Sequence, residues 1–444
     1  MASTRKPDAL VEYVAARLTP HQLQGRRLTL ALSGGVDSVA LLDILVSLRT
    51  ALGFQLSALY VNHGLSSNAS AWGRFCAALC LARGVVFSEA LVNLDRASGD
   101  SLEALAREAR YREFARLGAD YVVLAHHLDD QAETVLLQLL RGAGLRGLSA
   151  MPEHREDSGP AILRPLIEVA RADIFAYAQA RRLEWIEDES NRDVAFDRNF
   201  LRHEIFPEVA RRFPGYRQAL LRASRHAAEA ALLLNEMAVA DSAGAIRDGR
   251  LEVGVLRALP PIRAKNLLRW HLEGCGVIMP PAVRLEEMLR QLNGARPDAQ
   301  VQVRVGAHEL RRYRDQIYVL PRHVGDATEF AVEWHFQERL EIPGGTVCFE
   351  SRKGEGISLA KLQAGKLVVR TRTGMDSLRP DCRRPSRSLK NLFQENRVPP
   401  WERAVLPMLY CGKRLVWVPG LGVDCTFQAS PGEDGVLAIH AKLL

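Results

Sequence analysis

Apolar runs of strand length alternate with stretches of helical period through the first 150 residues. RLTLALS (27–33), FQLSALYVNHG (54–64), VVFSEALVN (85–93) and DYVVLAHH (120–127) are strand candidates. Between and after them, VALLDILVSLRT (39–50), a segment near 68–83, SLEALAREARYREFARLG (101–118) and LDDQAETVLLQLLRG (128–142) carry the helical pattern. Repeated strand–helix units with strands apolar on both faces predict an α/β fold, a parallel sheet covered by helices on either side. Such sheets bind ligands beyond the carboxyl ends of their strands. SGGVDS (33–38), VNHG (61–64) and AHHLDD (125–130) each fall at such an end, so one shared site is expected there.

After about residue 215 the pattern changes. YRQALLRASRHAAEAALLLNEMAVADSAG (216–244) reads as one long helix and PPIRAKNLLRWHLEGCGV (260–277) as another, with short strand signals at 301–320. From about 325 onward short strands and Gly/Pro turns take over, as in RLEIPGGTVCFE, KLVVRTRTG and RLVWVPGLGVD. The expected organisation is a catalytic α/β domain (1–215), a mainly helical middle domain (216–324) and a small α+β C-terminal domain (325–444).

Composition refines this picture little, and charge distribution refines it more. With 47% hydrophobic and 25% charged residues the chain has a globular composition. No apolar run is long enough to cross a bilayer, and the N-terminus lacks a signal-peptide core, so a cytoplasmic protein without a membrane partner is expected. Seven irregularly spaced cysteines argue against a disulfide framework. Net charge is only +7, but residues 198–226 hold seven arginines and two acids, and residues 366–403 are basic as well. Two separated basic stretches suit a polyanion such as a nucleic acid.

SGGVDS carries the chemistry. A strand leading through glycines into a helix gathers backbone N–H groups and a helix N-terminus around an anion. Gly34 and Gly35 permit close approach, and Ser33 and Ser38 add hydroxyls. No lysine follows the glycines, so this is not a Walker loop. Asp37 stands there instead and would repel phosphate unless a divalent cation lay between them, which implies a nucleotide bound with Mg²⁺, held partly through Asp37. The stretch resembles the SGGxDS signature of the PP-loop ATP pyrophosphatases. That resemblance implies a Rossmann-like sheet, pyrophosphate held by Ser33, Gly34, Gly35, Val36, Asp37 and Ser38, and an adenylated intermediate.

Further segments narrow the family. SLEALAREARYREF (101–114), LAHHLDDQAETVLLQLLRGAGLRGLSAM (124–151), ILRPLIEVAR (162–171) and WIEDESNRDVAFDRNFLRHEIFP (185–207) are similar to successive signatures of the tRNA(Ile)-lysidine synthetases. SRSLKNLFQENRVPPWERAVLPML (386–409) resembles that family's C-terminal RNA-contacting domain. The resemblance implies an ATP-dependent ligase that joins L-lysine to C2 of the wobble cytidine of a CAU-anticodon tRNA(Ile). The reaction would pass through an adenylated cytidine and change decoding from AUG to AUA. Two positions depart from the family pattern: Ser66, where a basic residue is expected, and Asn391, where a second lysine is common.

Asp130 and Glu133, at i and i+3 of one helix, share a face and would suit a lysine ammonium group or Mg²⁺. At pH 7 only about one lysine side chain in 2,500 is neutral, a cost of about 4.6 kcal/mol. A base is therefore needed, and Asp130, Glu133 and His126 are the candidates. Arg107 and Arg110 are expected to meet phosphate charge as AMP forms, and His63 to lie at the adenosine. Arg198 and Asn199 are expected beside the active site, facing substrate or nucleotide as part of the tRNA contact. Arg202, Arg211 and Arg212, with Arg387, Lys390, Arg397 and Arg403, are assigned to tRNA backbone. Phe393 and Trp401 read as core. Two rival readings are a cytidine 2-thiolase, for which no C-x-x-C pair is present, and a non-catalytic RNA-binding relative. The pattern leaves a homodimer open.

Overall fold

The computed structural model describes residues 7–64, 66–92, 102–156, 159–296, 301–322, 329–362, 365–372, 374 and 376–442. The expected helix start at Ser101, the strand end at Asn93 and the 324/325 domain boundary lie outside the described residues. Compactness divides the chain into two units, 1–234 and 235–444, with the division inside the helix Tyr216–Ser242.

The first unit is built on β1 (Arg27–Ala31), β2 (Gln55–Asn62), β3 (Val86–Leu91), β4 (Tyr121–Val123), β5 (His154–Arg155) and β6 (Ala161–Leu163). They form one sheet in the order β3-β2-β1-β4-β6-β5, parallel throughout except for the last strand. The helices are α1 (Pro7–Leu18), α2 (Val36–Leu52), α3 (Ala69–Leu81), α4 (Leu102–Arg116), α5 (Leu128–Leu140), α6 (Leu145–Leu148) and α7 (Arg171–Ala180). A short α8 (Asp197–Phe200), one π-helical turn (Leu201–Ile205), α9 (Phe206–Arg212) and α10 (Tyr216–Ser242) follow.

Alternation along the strands covers both faces of the sheet. Leu28 and Leu30 of β1 pack with Val39, Leu41, Leu42, Ile44 and Leu45 of α2, below α1 and α7. On the other face Leu59, Val122, Leu124 and Ile162 meet Phe114 and Tyr111 of α4. Chain order reverses between β1 and β4: β2 and β3 build outward on one side, and β4 and β6 on the other. The crevice beyond β1 and β4 is thus the topological switch point where a nucleotide is expected to bind.

In the second unit, Ile246–Arg247, Arg250–Glu252, Val301–Val305, His308–Tyr313 and Gln316–Pro321 form an antiparallel sheet. The helices Pro261–Gly274 and Ala282–Gly294 share its core through Leu267, Leu268, Met288 and Leu292. The strand signals at 301–320 thus belong to a five-stranded sheet that supports the helices of the middle segment. Farther on, the hairpin Arg339–Ile342/Gly345–Lys353 pairs with Asp434–Lys442. A second sheet, built around Leu367–Arg370, Met408–Cys411 and Arg414–Val418, packs against the helix Leu389–Glu395.

Candidate active site

The loop from β1 to α2 is shaped by Gly34. Its φ is +85°, in the left-handed region, and a Cβ there would come within 2.7 Å of Ile186 Cδ1 and 3.2 Å of Cys76 Sγ. Ile186 N–H also donates to Gly34 O at 2.9 Å, tying the 185–196 segment over the loop. Gly35 caps α2 in an ordinary extended conformation, with nothing nearer its would-be Cβ than Ser33 Oγ at 3.6 Å. Ser33 and Ser38 hydroxyls lie 3.1 Å apart, and Ser38 Oγ donates to Gly35 O at 2.9 Å. Val36 and Asp37 open the first turn of α2, so the positive end of the helix dipole faces the crevice.

Asp37 sits half-buried beside that turn. Its Oδ1 is buried without a hydrogen-bond partner, while Oδ2 lies 3.7 Å from both His127 Nε2 and Arg171 Nε. Burial alone would push this carboxyl up, but His127, Arg171 and Arg202 outweigh it and the net shift is downward. An ionised carboxylate with one unsatisfied oxygen next to a phosphate loop fits a Mg²⁺ shared with phosphates. Among the described residues no cluster of three or more His, Cys, Asp or Glu side chains forms a metal cage by itself.

A cavity of about 560 Å³ opens at the switch point, lined by Ser33, Asp37, Ser38, His63, Arg110 and His126 among others. Six residues expected to act together thus share one space. Ser66, Asp188, Trp72 and Phe196 line it too; Asp188 and Phe196 belong to the 185–207 segment, but the sequence assigns no role to them or to Trp72. His63 follows β2, and both its ring nitrogens are buried with no partner. Burial, together with Arg110, lowers its pKa to about 4, so the ring is neutral. Arg107 and Arg110 part company: Arg110 lines the cavity, whereas Arg107 reaches the hydroxyl of Tyr111 at 3.5 Å.

His127 and Arg202, beside the cavity, hold the carboxylates of α5. His127 is the N-cap of α5: its Nδ1 accepts from Asp130 N–H at 3.3 Å, and Asp130 Oδ2 accepts from His127 N–H at 3.0 Å. Its Nε2 faces Asp130 Oδ2 at 3.4 Å as well as Asp37. Burial opposes a charge on this ring, but Asp130 and Asp37 push its pKa up to about 9. An imidazolium has no acceptor atom, so the cap bond and the pull of the carboxylates oppose each other. In the arrangement seen Nδ1 accepts, which puts the single ring proton on Nε2, toward the carboxylates.

Glu133 is 1% exposed, and its two oxygens accept from Arg202 Nε at 2.7 Å and Nη2 at 3.0 Å. Arg202 Nη2 also reaches Asp130 Oδ1 at 3.4 Å. Burial raises the Glu133 pKa and Arg202 offsets only part of that. Arg202, expected on the tRNA backbone, instead supplies the cation that two neighbouring carboxylates require. The reason is geometric: the π-helical turn Leu201–Ile205 stands against α5 and turns Arg202 inward. Asn199 is buried, its amide donating to Asp193 O at 2.8 Å, and Arg198 sits beside it in α8.

A family model for the PP-loop domain matches residues 8–209. Models for the TilS substrate binding domain and the TilS substrate C-terminal domain match residues 251–318 and 367–440. The tRNA(Ile)-lysidine synthase of Nitrosomonas europaea is 44% identical over 439 residues, covering 98% of this chain and 95% of its own. The chain belongs to the tRNA(Ile)-lysidine synthase family. The corresponding proteins of Aromatoleum aromaticum and Coxiella burnetii are 43% and 36% identical, each over 97% of this chain and 100% and 95% of their own.

Within this PP-loop fold, His127, Arg164 and Arg171, like Asp188, are polar residues at the site that sequence reasoning left unassigned. His127 was visible in AHHLDD, but spacing cannot say which of two adjacent histidines caps the helix. Arg164 stands in ILRPLIEVAR, a stretch that contributes to the family resemblance without revealing a role. Of the residues assigned to tRNA, Arg212, Lys390 and Arg397 are exposed, as is Arg211, which pairs with Glu208. Arg387 pairs with Glu395, and Arg403 donates to Val398 O and the Tyr313 hydroxyl. Phe393 is fully buried, and Trp401 packs edge-on against Tyr313 and Tyr318.

Proposed function

We propose that this protein, an ATP-dependent ligase of the tRNA(Ile)-lysidine synthase family, joins L-lysine to C2 of the wobble cytidine of CAU-anticodon tRNA(Ile). One observation carries the reading: a phosphate loop, an orphaned Asp37 oxygen and an orphaned His63 ring meet in one cavity at the switch point. In the first step the cytidine O2 bonds to the α-phosphorus of ATP and the bond to the β-phosphate oxygen breaks, releasing pyrophosphate. The Gly34–Ser38 loop and the α2 N-terminus would hold the pyrophosphate, Arg110 the phosphate charge and His63 the adenosine. Mg²⁺ bound through Asp37 would neutralise phosphate charge.

In the second step the lysine ε-nitrogen bonds to C2, the C2–O bond breaks with AMP as leaving group, and the amine gives up a proton. We assign Asp130 and Glu133 to the lysine ammonium group, an assignment supported by their shared face and by the cation Arg202 already placed there. Glu133, whose pKa burial raises, is the better placed to take the proton. Glu133→Gln is therefore expected to slow single-turnover lysine transfer from preformed adenylate at least about 100-fold. An unchanged rate removes Glu133 as the base.

The three-part division 1–215, 216–324 and 325–444 is supported by the three family models, each of which falls within one part. Because the substrate is tRNA, the cytoplasm is the proposed compartment. A homodimer stays a reading to test, and sedimentation separates it from a 49.3 kDa monomer. The deciding experiment incubates the protein with ATP, Mg²⁺ and radiolabelled lysine, with and without unmodified tRNA(Ile) transcript. Label at the wobble cytidine that depends on Asp37 supports the proposal. Pyrophosphate release without label keeps the adenylating loop and rejects lysine as nucleophile.

A further inference from the structure

His126 and Arg164 lie beyond the carboxyl ends of two paired parallel strands, β4 and β6. Arg164 is 1% exposed and every nitrogen of its guanidinium is engaged. Nη1 donates to Pro152 O at 2.8 Å, Nη2 to the Tyr111 hydroxyl at 3.3 Å, and Nε to His126 Nδ1 at 3.2 Å. A guanidinium has five N–H donors, no acceptor, and does not lose its charge in proteins. The nitrogen it donates to must therefore be bare, and a neutral imidazole with a bare Nδ1 carries its proton on Nε2. Protonating Nδ1 would set N–H against N–H and place a second positive charge beside the first.

The geometry points to Arg164 as a positioning residue that fixes His126 as a neutral Nε2–H donor to a phosphate oxygen in the nucleotide cavity. This rests on the adenylation reading above and deepens it, because it removes His126 from the candidate bases. With Nδ1 occupied and Nε2 already protonated, the ring has no lone pair to accept the lysine proton. It can only donate, and in both steps its proton stays on Nε2 while phosphate oxygens gain negative charge. A neutral donor of this kind adds no charge to a site that already holds several cations.

The surroundings agree. Burial, together with the positive charges of Arg164, Arg198, Arg110 and Arg107, holds the ring's pKa well below the usual histidine value. Among the described residues no carboxylate pairs with Arg164, whose three acceptors are all neutral. A buried charge left uncompensated is costly. An anionic ligand in the adjoining cavity would reduce that cost.

Histidine ¹⁵N spectra of the full-length protein test the tautomer without reference to activity, with His126 assigned by the signal lost in His126→Gln. The expected result is a bare, hydrogen-bonded Nδ1 and a protonated Nε2, unchanged between about pH 6 and pH 8, where ordinary histidines titrate. A protonated Nδ1, or a ring that titrates in that range, overturns the proposal. Single-turnover adenylation supplies the second arm. Glutamine can accept from Arg164 and still donate, so His126→Gln should stay within about tenfold of wild type, whereas His126→Ala should fall about 100-fold or more. Equal loss in both variants overturns the donor role. If Arg164→Met, which can neither donate nor carry charge, folds, His126 should lose the hydrogen-bonded Nδ1 signature and populate both neutral tautomers; a spectrum identical to wild type overturns the role given to Arg164. Should the wild-type protein fail to adenylate tRNA at all, the function proposed above fails, while the wild-type spectrum still decides the tautomer.

Discussion

Glu133 shows how one side chain can serve two opposing needs. In the role proposed for it Glu133 would hold an ammonium group, which favours ionisation, and it lies where burial favours the protonated acid. Arg202 settles the balance by a two-pronged bond, and its own side chain is only 28% exposed. Removing that partner leaves a buried carboxylate uncompensated, which costs on the order of 3 kcal/mol. Arg202→Ala should therefore unfold at lower denaturant concentration than wild type, and the loss should depend on pH. The Glu133 pKa lies above its unfolded value, so its ionised form penalises folding at high pH, and the penalty fades as pH falls through the raised pKa. Chemical denaturation of the variant and wild type should show a smaller gap at about pH 5 than at about pH 8. A gap independent of pH would mean that Glu133 is not the charge that Arg202 balances.

At the scale of elements, the loop and its helix separate two duties that the letters GG run together. Gly34 is required by the fold, because its φ of +85° and the contact with Ile186 both exclude a side chain. Gly35 has ordinary dihedrals and open space, so the fold alone would accept alanine there. Gly34→Ala should destabilise the protein by about 1–3 kcal/mol from the backbone conformation alone. Gly35→Ala should leave the melting temperature nearly unchanged yet weaken ATP binding, since the added methyl sits where phosphate must approach. Thermal melts and nucleotide titrations of the two variants check this, and a stable Gly34→Ala would refute the division.

The same scale shows what was legible in the sequence. Strand–helix alternation gave β1 to β4 and their helices because each apolar run had one period, and SGGVDS marked the switch point because its chemistry is local. The roles of Arg164, Arg171 and Arg202 could not be read that way. Each acts on a residue 38 to 134 positions distant, through contacts that only the packing of β6, α7 and the π-helical turn creates. Likewise, the middle segment's strands are short and its helices carry the stronger periodic signal, so the sheet beneath them was heard only as fragments at 301–320.

Over the whole molecule, the arginines that make the chain basic divide into those spent on the protein and those left for a polyanion. In the 198–226 stretch Arg202, Arg217 and Arg225 pair with Glu133, Asp129 and Glu168, carboxylates that lie 57 to 88 residues away in the sequence. Near the C-terminus, Arg403 is held by a carbonyl and a tyrosine hydroxyl. These groups cannot give their charge to RNA without breaking the fold that positions them. Arg212, Lys390 and Arg397 are exposed, and among the described residues no side-chain hydrogen bond or ion pair holds them. Each phosphate contact contributes about 0.7–0.9 to the slope of log affinity against log salt. Alanine at Arg212, Lys390 or Arg397 should lower the slope for tRNA(Ile) by about that amount each, with thermal stability unchanged. Arg225→Ala and Arg403→Ala should instead lower the melting temperature and leave the slope alone. Salt titrations of tRNA binding run beside melts of the same five variants separate the two groups. A slope that falls for Arg403 and holds for Lys390 would reverse the assignment and place RNA on the side chains read here as structural.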